Sequence, residues 1–146
     1  MRLTKNHWIW TVLLIVTVIL CAAILILHFK NWISNDSQSL KLRSGFYAVE
    51  IPYRELDSLV MVERIPPMER LNGFSALEKE KGIFREFKDS LTDKKVYVFV
   101  DNIDQKKVKL VYKDSTYLYF NLKDSVKTIN LLDELTAKMN SLRTPN

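Results

Sequence analysis

"TYLYFNLKDSVKTINLLDEL", Thr116–Leu135, changes its hydrophobic rhythm partway along. Leu118, Phe120 and Leu122 alternate with Tyr117, Tyr119 and Asn121, the period of two that a strand imposes. From Val126 the apolar residues fall at 126, 129, 132, 135 and 139, the spacing of one face of a helix. A helix is expected from Ser125 to about Leu142. Asp124 or Ser125 can offer an oxygen to a free backbone N–H of its first turn. Lys138 and Arg143 stand near the negative end of its dipole.

Upstream, strand patterns dominate. "FYAVEIPY" puts Tyr47, Val49, Ile51 and Tyr53 on one face, and "SLVMVER" is a short apolar run that Pro66-Pro67 brings to an end. "GIFREFK", "KVYVFVD" and "KVKLVYK" follow, rich in the aromatic and β-branched residues that a pleated surface favours. Asn72-Gly73 and Gly82 mark turns or bulges. Lys113-Asp114-Ser115 reads as a tight hairpin turn. The soluble part is therefore mainly β, with six to seven short strands and one C-terminal α-helix. A strongly bent antiparallel sheet of that size has an open end, and a terminal helix with one apolar stripe can close it.

The N-terminus is of another kind. From Trp8 to Phe29, "WIWTVLLIVTVILCAAILILHF", there is no Asp, Glu, Lys or Arg. About 21 helical residues reach roughly 32 Å, against a hydrocarbon core of about 30 Å. One transmembrane helix over 8–29 is expected, behind a short basic head at 1–7. A cleaved signal peptide is the competing reading, but its apolar region runs only about 7–15 residues. Here the apolar run continues past Ala22-Ala23. Cys21 follows Leu20, where a lipoprotein signal would have a small residue. Residues 30–43 read as a tether, 44–142 as the folded domain and 143–146 as a disordered tail.

Charge narrows the partners. Arg2, Lys5 and Lys30 flank the span; the other 19 basic residues face 17 acidic ones. A soluble part so nearly balanced lacks the electrostatic footprint of a phosphate-backbone binder, so no nucleic acid is expected. Basic residues on the two sides of the span come close to a tie. A short basic head followed at once by the apolar run resembles a signal anchor, which places the C-terminal domain outside the cytoplasm of a cell-membrane protein.

From about Gly45 to Met139 the chain resembles the small bacterial pleckstrin-homology-like domains that follow transmembrane segments. The likeness rests on Gly45, on Ile51-Pro52-Tyr53 ahead of "ELDSLVM", on Ile65-Pro66, Asn72-Gly73 and Gly82 with Phe84, and on "YLYFNLKD" leading into the last helix. It implies a β-roll capped by a helix, with no established catalytic residues and no shared ligand motif. In eukaryotic counterparts, basic residues between the first two strands hold phosphoinositide headgroups. The corresponding "PYRELD" carries one arginine between a proline and two acids.

Catalytic chemistry is hard to assemble from this chain. Its two histidines, His7 and His28, flank the span, and its one cysteine lies within it. That leaves the domain without Ser-His-Asp or Cys-His catalysis and without the common zinc ligands. Three glycines leave no phosphate-cradling loop. No catalytic, cofactor or metal site is assigned, no small-molecule substrate is evident, and no enzyme is expected. The reading is a single-pass membrane protein whose domain binds or positions another membrane-associated protein, through an exposed sheet edge or the groove beside the last helix. The alternative is an anionic-lipid headgroup sensor using Lys107, Lys109 and Lys113 as one outward face. The bland reading of that row is a solvated face or an edge strand whose lysines deter pairing.

Overall fold

Twenty-four consecutive residues, Asn6–Phe29, form helix α1 in the computed structural model, which describes residues 6–29, 31–87, 94–113 and 115–143. At 1.5 Å per residue α1 is about 36 Å long. It is long and apolar enough to cross a membrane, and none of its apolar window His7–Leu27 is buried by the rest of the chain. The ends of the basic head and of the expected tail, along with Lys30 and Asp114, lie outside the described residues.

Among the described residues nine strands follow, in two sheets. Strands β1 (Asn31–Asn35), β2 (Ser39–Ser44) and β3 (Tyr47–Pro52) make an antiparallel meander. This corrects the expected tether at 30–43: Leu40 and Leu42 are 1% and 2% exposed and belong to the core, while Lys41 and Arg43 face water. The β2–β3 turn is made by Gly45 and Phe46, with Gly45 at φ +60, the left-handed value that favours glycine at the first turn position.

The second sheet contains β4 (Leu56–Val62), β5 (Met68–Ala76), β6 (Lys79–Glu86), β7 (Val96–Val100), β8 (Lys107–Tyr112) and β9 (Thr116–Asn121). Their spatial order is β4-β8-β9-β7-β6-β5, and β7 runs parallel to β9. The expectation of six to seven antiparallel strands is thus corrected in number and in direction. Strand β9 inserts between β7 and β8, so the 101–106 link from β7 to β8 must cross the end of β9.

Strands β4 and β5 are consecutive in the chain yet occupy opposite edges of this sheet. Six flat strands would hold their edges about 24 Å apart, and the six steps from Val62 to Met68 reach at most about 22 Å. The sheet must curl. Its concave face holds a small core of Phe84, Val96, Val98, Val100 and Tyr119, with Val62, Ile65 and Met68 closing over it. Its convex face, with Phe99, Leu110, Leu118 and Phe120, packs against Leu40, Leu42 and Ile51 of the first sheet.

Helix α2 (Ser125–Arg143) closes this larger core with Leu135, which is fully buried. Asp124 supplies the expected cap, its Oδ1 accepting the Val126 N–H at 2.9 Å. The buried stripe keeps Leu132, Leu135 and Met139 of the expected one and departs from it in the first turn. Thr128 and Leu135 are buried, Leu131, Leu132 and Met139 half-buried, and Val126 and Ile129 exposed at 61% and 49%. Arg143 lies in the helix rather than in a tail, and its guanidinium donates to the carbonyls of Leu56 and Asp57 at 3.1 and 2.6 Å.

Candidate functional site

Strand ends gather around Asn31, the first residue described after α1. Strands β7 and β9 finish there, while β6, β8 and α2 begin there. Such a junction leaves backbone groups outside any ladder, and buried polar groups need partners. A network of buried side chains supplies them.

Asn31 is 4% exposed and uses both ends of its amide. Its Nδ2 donates to the carbonyls of Phe99 (2.7 Å) and Asn121 (3.1 Å), and its Oδ1 accepts from Ser44 Oγ (2.6 Å) and Lys81 Nζ (2.9 Å). Its backbone N–H donates to Asp101 Oδ2 at 3.3 Å. Lys81 Nζ also lies 2.8 Å from Asp101 Oδ1, a buried ion pair, with Lys79 Nζ 3.6 Å from the same oxygen. Burial pushes the Lys81 ammonium below the ordinary lysine range, and its contact with Asp101 acts in the opposite direction.

Asn121, fully buried, holds the crossing link. Its Oδ1 accepts the N–H groups of Asp101 (2.8 Å) and Asn102 (3.1 Å), and its Nδ2 donates to the carbonyls of Asn102 (2.6 Å) and Lys106 (3.3 Å). One side chain thereby fastens the loop that lets β9 sit beside β7. Lys81 has no exposed surface, so no substrate can reach its amine. The network's chemistry is that of a fastening, not of a catalytic centre.

Around it lies an open groove of about 870 Å³, lined by Trp32, Leu77, Lys79, Asp101, Lys123 and Lys127 among others. Several large apolar side chains at this end face outward: Trp32 at 53%, Phe46 at 74%, Leu77 at 93% and Ile103 at 44% exposed.

The lysines singled out in the sequence do not form one outward face. Val108 and Leu110 point to the convex core, so Lys107 and Lys109 point into the curl. Lys107 is 3% exposed, its ammonium donating to the carbonyls of Glu63 (3.1 Å) and Ile103, and burial pushes it below the ordinary lysine range. Lys109 Nζ sits 4.4 Å from the Tyr117 ring centroid, a cation–π contact. Lys113 is exposed at the far end of β8, its N–H on the Glu55 carbonyl. At about 3.3 Å per residue it lies roughly 20 Å from Lys107 along the strand. Curling of the sheet, which an alternating pattern does not reveal, turned the expected outer face into an inner one.

Sequence reasoning missed Asn31, Lys81, Asp101 and Asn121, because buried polar residues interrupt the apolar alternation that marks a core. Among the described residues no group of three His, Cys, Asp or Glu is placed to hold a metal ion. Compared with protein-family models, curated proteins and solved structures, the chain matches none.

Proposed function

We propose that the protein is a single-pass membrane-anchored binding module, without catalysis of its own, that holds a sheet-built domain against the bilayer for a partner in or on the same membrane. The observation that carries this reading is the junction: α1 ends at Phe29 and β1 begins at Asn31, whose side chain is locked into the domain. A ten-residue flexible tether would let a domain search roughly 15–20 Å. A one-residue junction keeps the domain close to the end of α1, which favours partners presented at the membrane surface.

Strand β5 is the best-placed sheet edge for such a partner. It is nine residues long, mostly exposed, and lies at the border of its sheet, so its outer backbone groups can pair with an added strand. The bulge after Arg70 limits how far that pairing can run. From the pleckstrin-homology-like resemblance the proposal keeps a sheet-built body closed by a C-terminal helix and a non-catalytic role at a membrane. The parallel β7–β9 pair is not a feature of an antiparallel roll. The lipid-sensor alternative loses ground on this geometry, since Lys107 and Lys109 turn inward.

The test places a photoreactive amino acid at Leu71 on β5, in the full chain expressed in cells, with Lys113 as a second position. Protein adducts specific to Leu71 that remain in the membrane after alkaline carbonate washing are expected. Release of the chain itself by carbonate would contradict the anchor. Equal labelling from both positions would contradict the β5 edge.

A further inference from the structure

Water-facing turn tips are normally built from Gly, Asn, Asp or Ser, because these residues accept positive φ and hydrogen-bond locally. The β5–β6 hairpin departs from this. Its two turn residues are Leu77 and Glu78, and Leu77 holds φ +55, the same place in the turn at which Gly45 holds φ +60 in the β2–β3 hairpin. A leucine there bears the steric cost of a left-handed backbone and leaves its side chain 93% exposed. Neither packing nor turn chemistry accounts for it.

Position does. Register pairs Asn31 with Ser44, so the Gly45-Phe46 turn projects past Asn31 on the side from which α1 enters. Lys79 reaches Asp101, which accepts the Asn31 N–H, so the Leu77 turn lies at that same end. The 101–106 link and the start of α2 add Ile103 and Val126, 44% and 61% exposed. These side chains come from three separate connections and the first turn of α2, all at the end of the domain where β1 begins, two residues after α1 ends.

We infer that this end of the domain is a second membrane contact: the Phe46 and Leu77 turns, aided by Ile103 and Val126, insert into the interfacial layer of the bilayer that α1 crosses. Apolar side chains on a rigid scaffold gain free energy by leaving water for the acyl boundary. The occupant is lipid, because α1 brings the bilayer surface to this end of the domain. This rests on the anchoring reading above.

Depth measurement by electron paramagnetic resonance separates the two. The full Cys21→Ala chain is placed in phosphatidylcholine nanodiscs with one nitroxide at Ala48, Glu78, Lys113 or Ile19, and relative accessibility to oxygen and to a water-soluble nickel chelate is read. Labels at Ala48 and Glu78, beside the unaltered Phe46 and Leu77, are expected at interfacial depth, Lys113 in water and Ile19 deep in lipid. Adding Leu77→Asp is expected to return the Glu78 label to water. If Ile19 reads lipid while Ala48 and Glu78 read water like Lys113, the inference is overturned and the anchor stands. An unmoved Glu78 label in the Leu77→Asp chain also overturns it. If Ile19 reads water, the anchor itself fails.

Discussion

Asn121 makes four hydrogen bonds from one amide, all to the backbone of the link that crosses its own strand. Asn121→Ala would leave buried N–H and C=O groups unpaired, each costing about 1–3 kcal/mol. The variant is expected to lose about 3 kcal/mol or more of domain stability in denaturant titration, far beyond the typical cost of a surface change. A loss under about 0.5 kcal/mol would mean that the link finds other partners. Two buried phenols, one in each core, set a pH limit on the domain. Burial raises Tyr112 and Tyr119 from the ordinary 10 to about 12. Between those values the unfolded chain releases these protons and the folded one keeps them, so stability falls as pH rises through the window. Three of the six tyrosines, these two and Tyr53, which burial also raises, are expected to ionise late, followed by tyrosinate absorbance, with unfolding close behind. Tyr112→Phe with Tyr119→Phe is expected to flatten this alkaline loss; an unchanged slope would contradict the assignment.

Gly73 and Gly82 face each other across β5 and β6, at φ +145 and +151. A Cβ on Gly82 would lie 2.2 Å from the Asn72 carbonyl oxygen, and one on Gly73 2.3 Å from that of Lys81. Both neighbours are backbone and cannot step aside. Gly82→Ala is expected to cost about 2–4 kcal/mol from strain and overlap together, measured as a lower unfolding midpoint. A neutral result would show that β5 and β6 do not approach this closely. The elements also show how far pattern alone reaches. Strands β7, β8 and β9 and helix α2 carry long runs of one period and were legible. Strands β1 and β2 were not, because buried Asn31, Ser39 and Ser44 look polar in sequence. The β5–β6 turn falls at Leu77-Glu78, where no turn residue advertises it, while Asn72-Gly73 lies within a bulged strand. The helix stripe holds at Leu132, Leu135 and Met139 but not in the first turn, where Thr128 takes the buried position in place of Val126 and Ile129, its Oγ accepting the Leu122 N–H at 3.0 Å.

Across the whole molecule, strand order was the feature least open to sequence reading. Alternation states that a segment is a strand and which side chains share a face; it does not say which strand lies beside it. Inserting β9 between β7 and β8 and curling the sheet are choices made by distant contacts, such as Lys81 with Asp101 and Asn31 with Phe99 and Asn121. Those contacts also lock Asn31, two residues beyond the end of the apolar helix, into the domain. A tether and a fixed junction differ in one directly measurable quantity, the spread of distances between α1 and the domain. Double electron–electron resonance on the full chain in nanodiscs, carrying Cys21→Ala and nitroxides at Ile26 and Lys113, reads that spread. A single narrow distance distribution is expected, one that broadens when Asn31→Ala cuts the network. A broad distribution in the chain with Asn31 intact would contradict a domain fixed to its anchor.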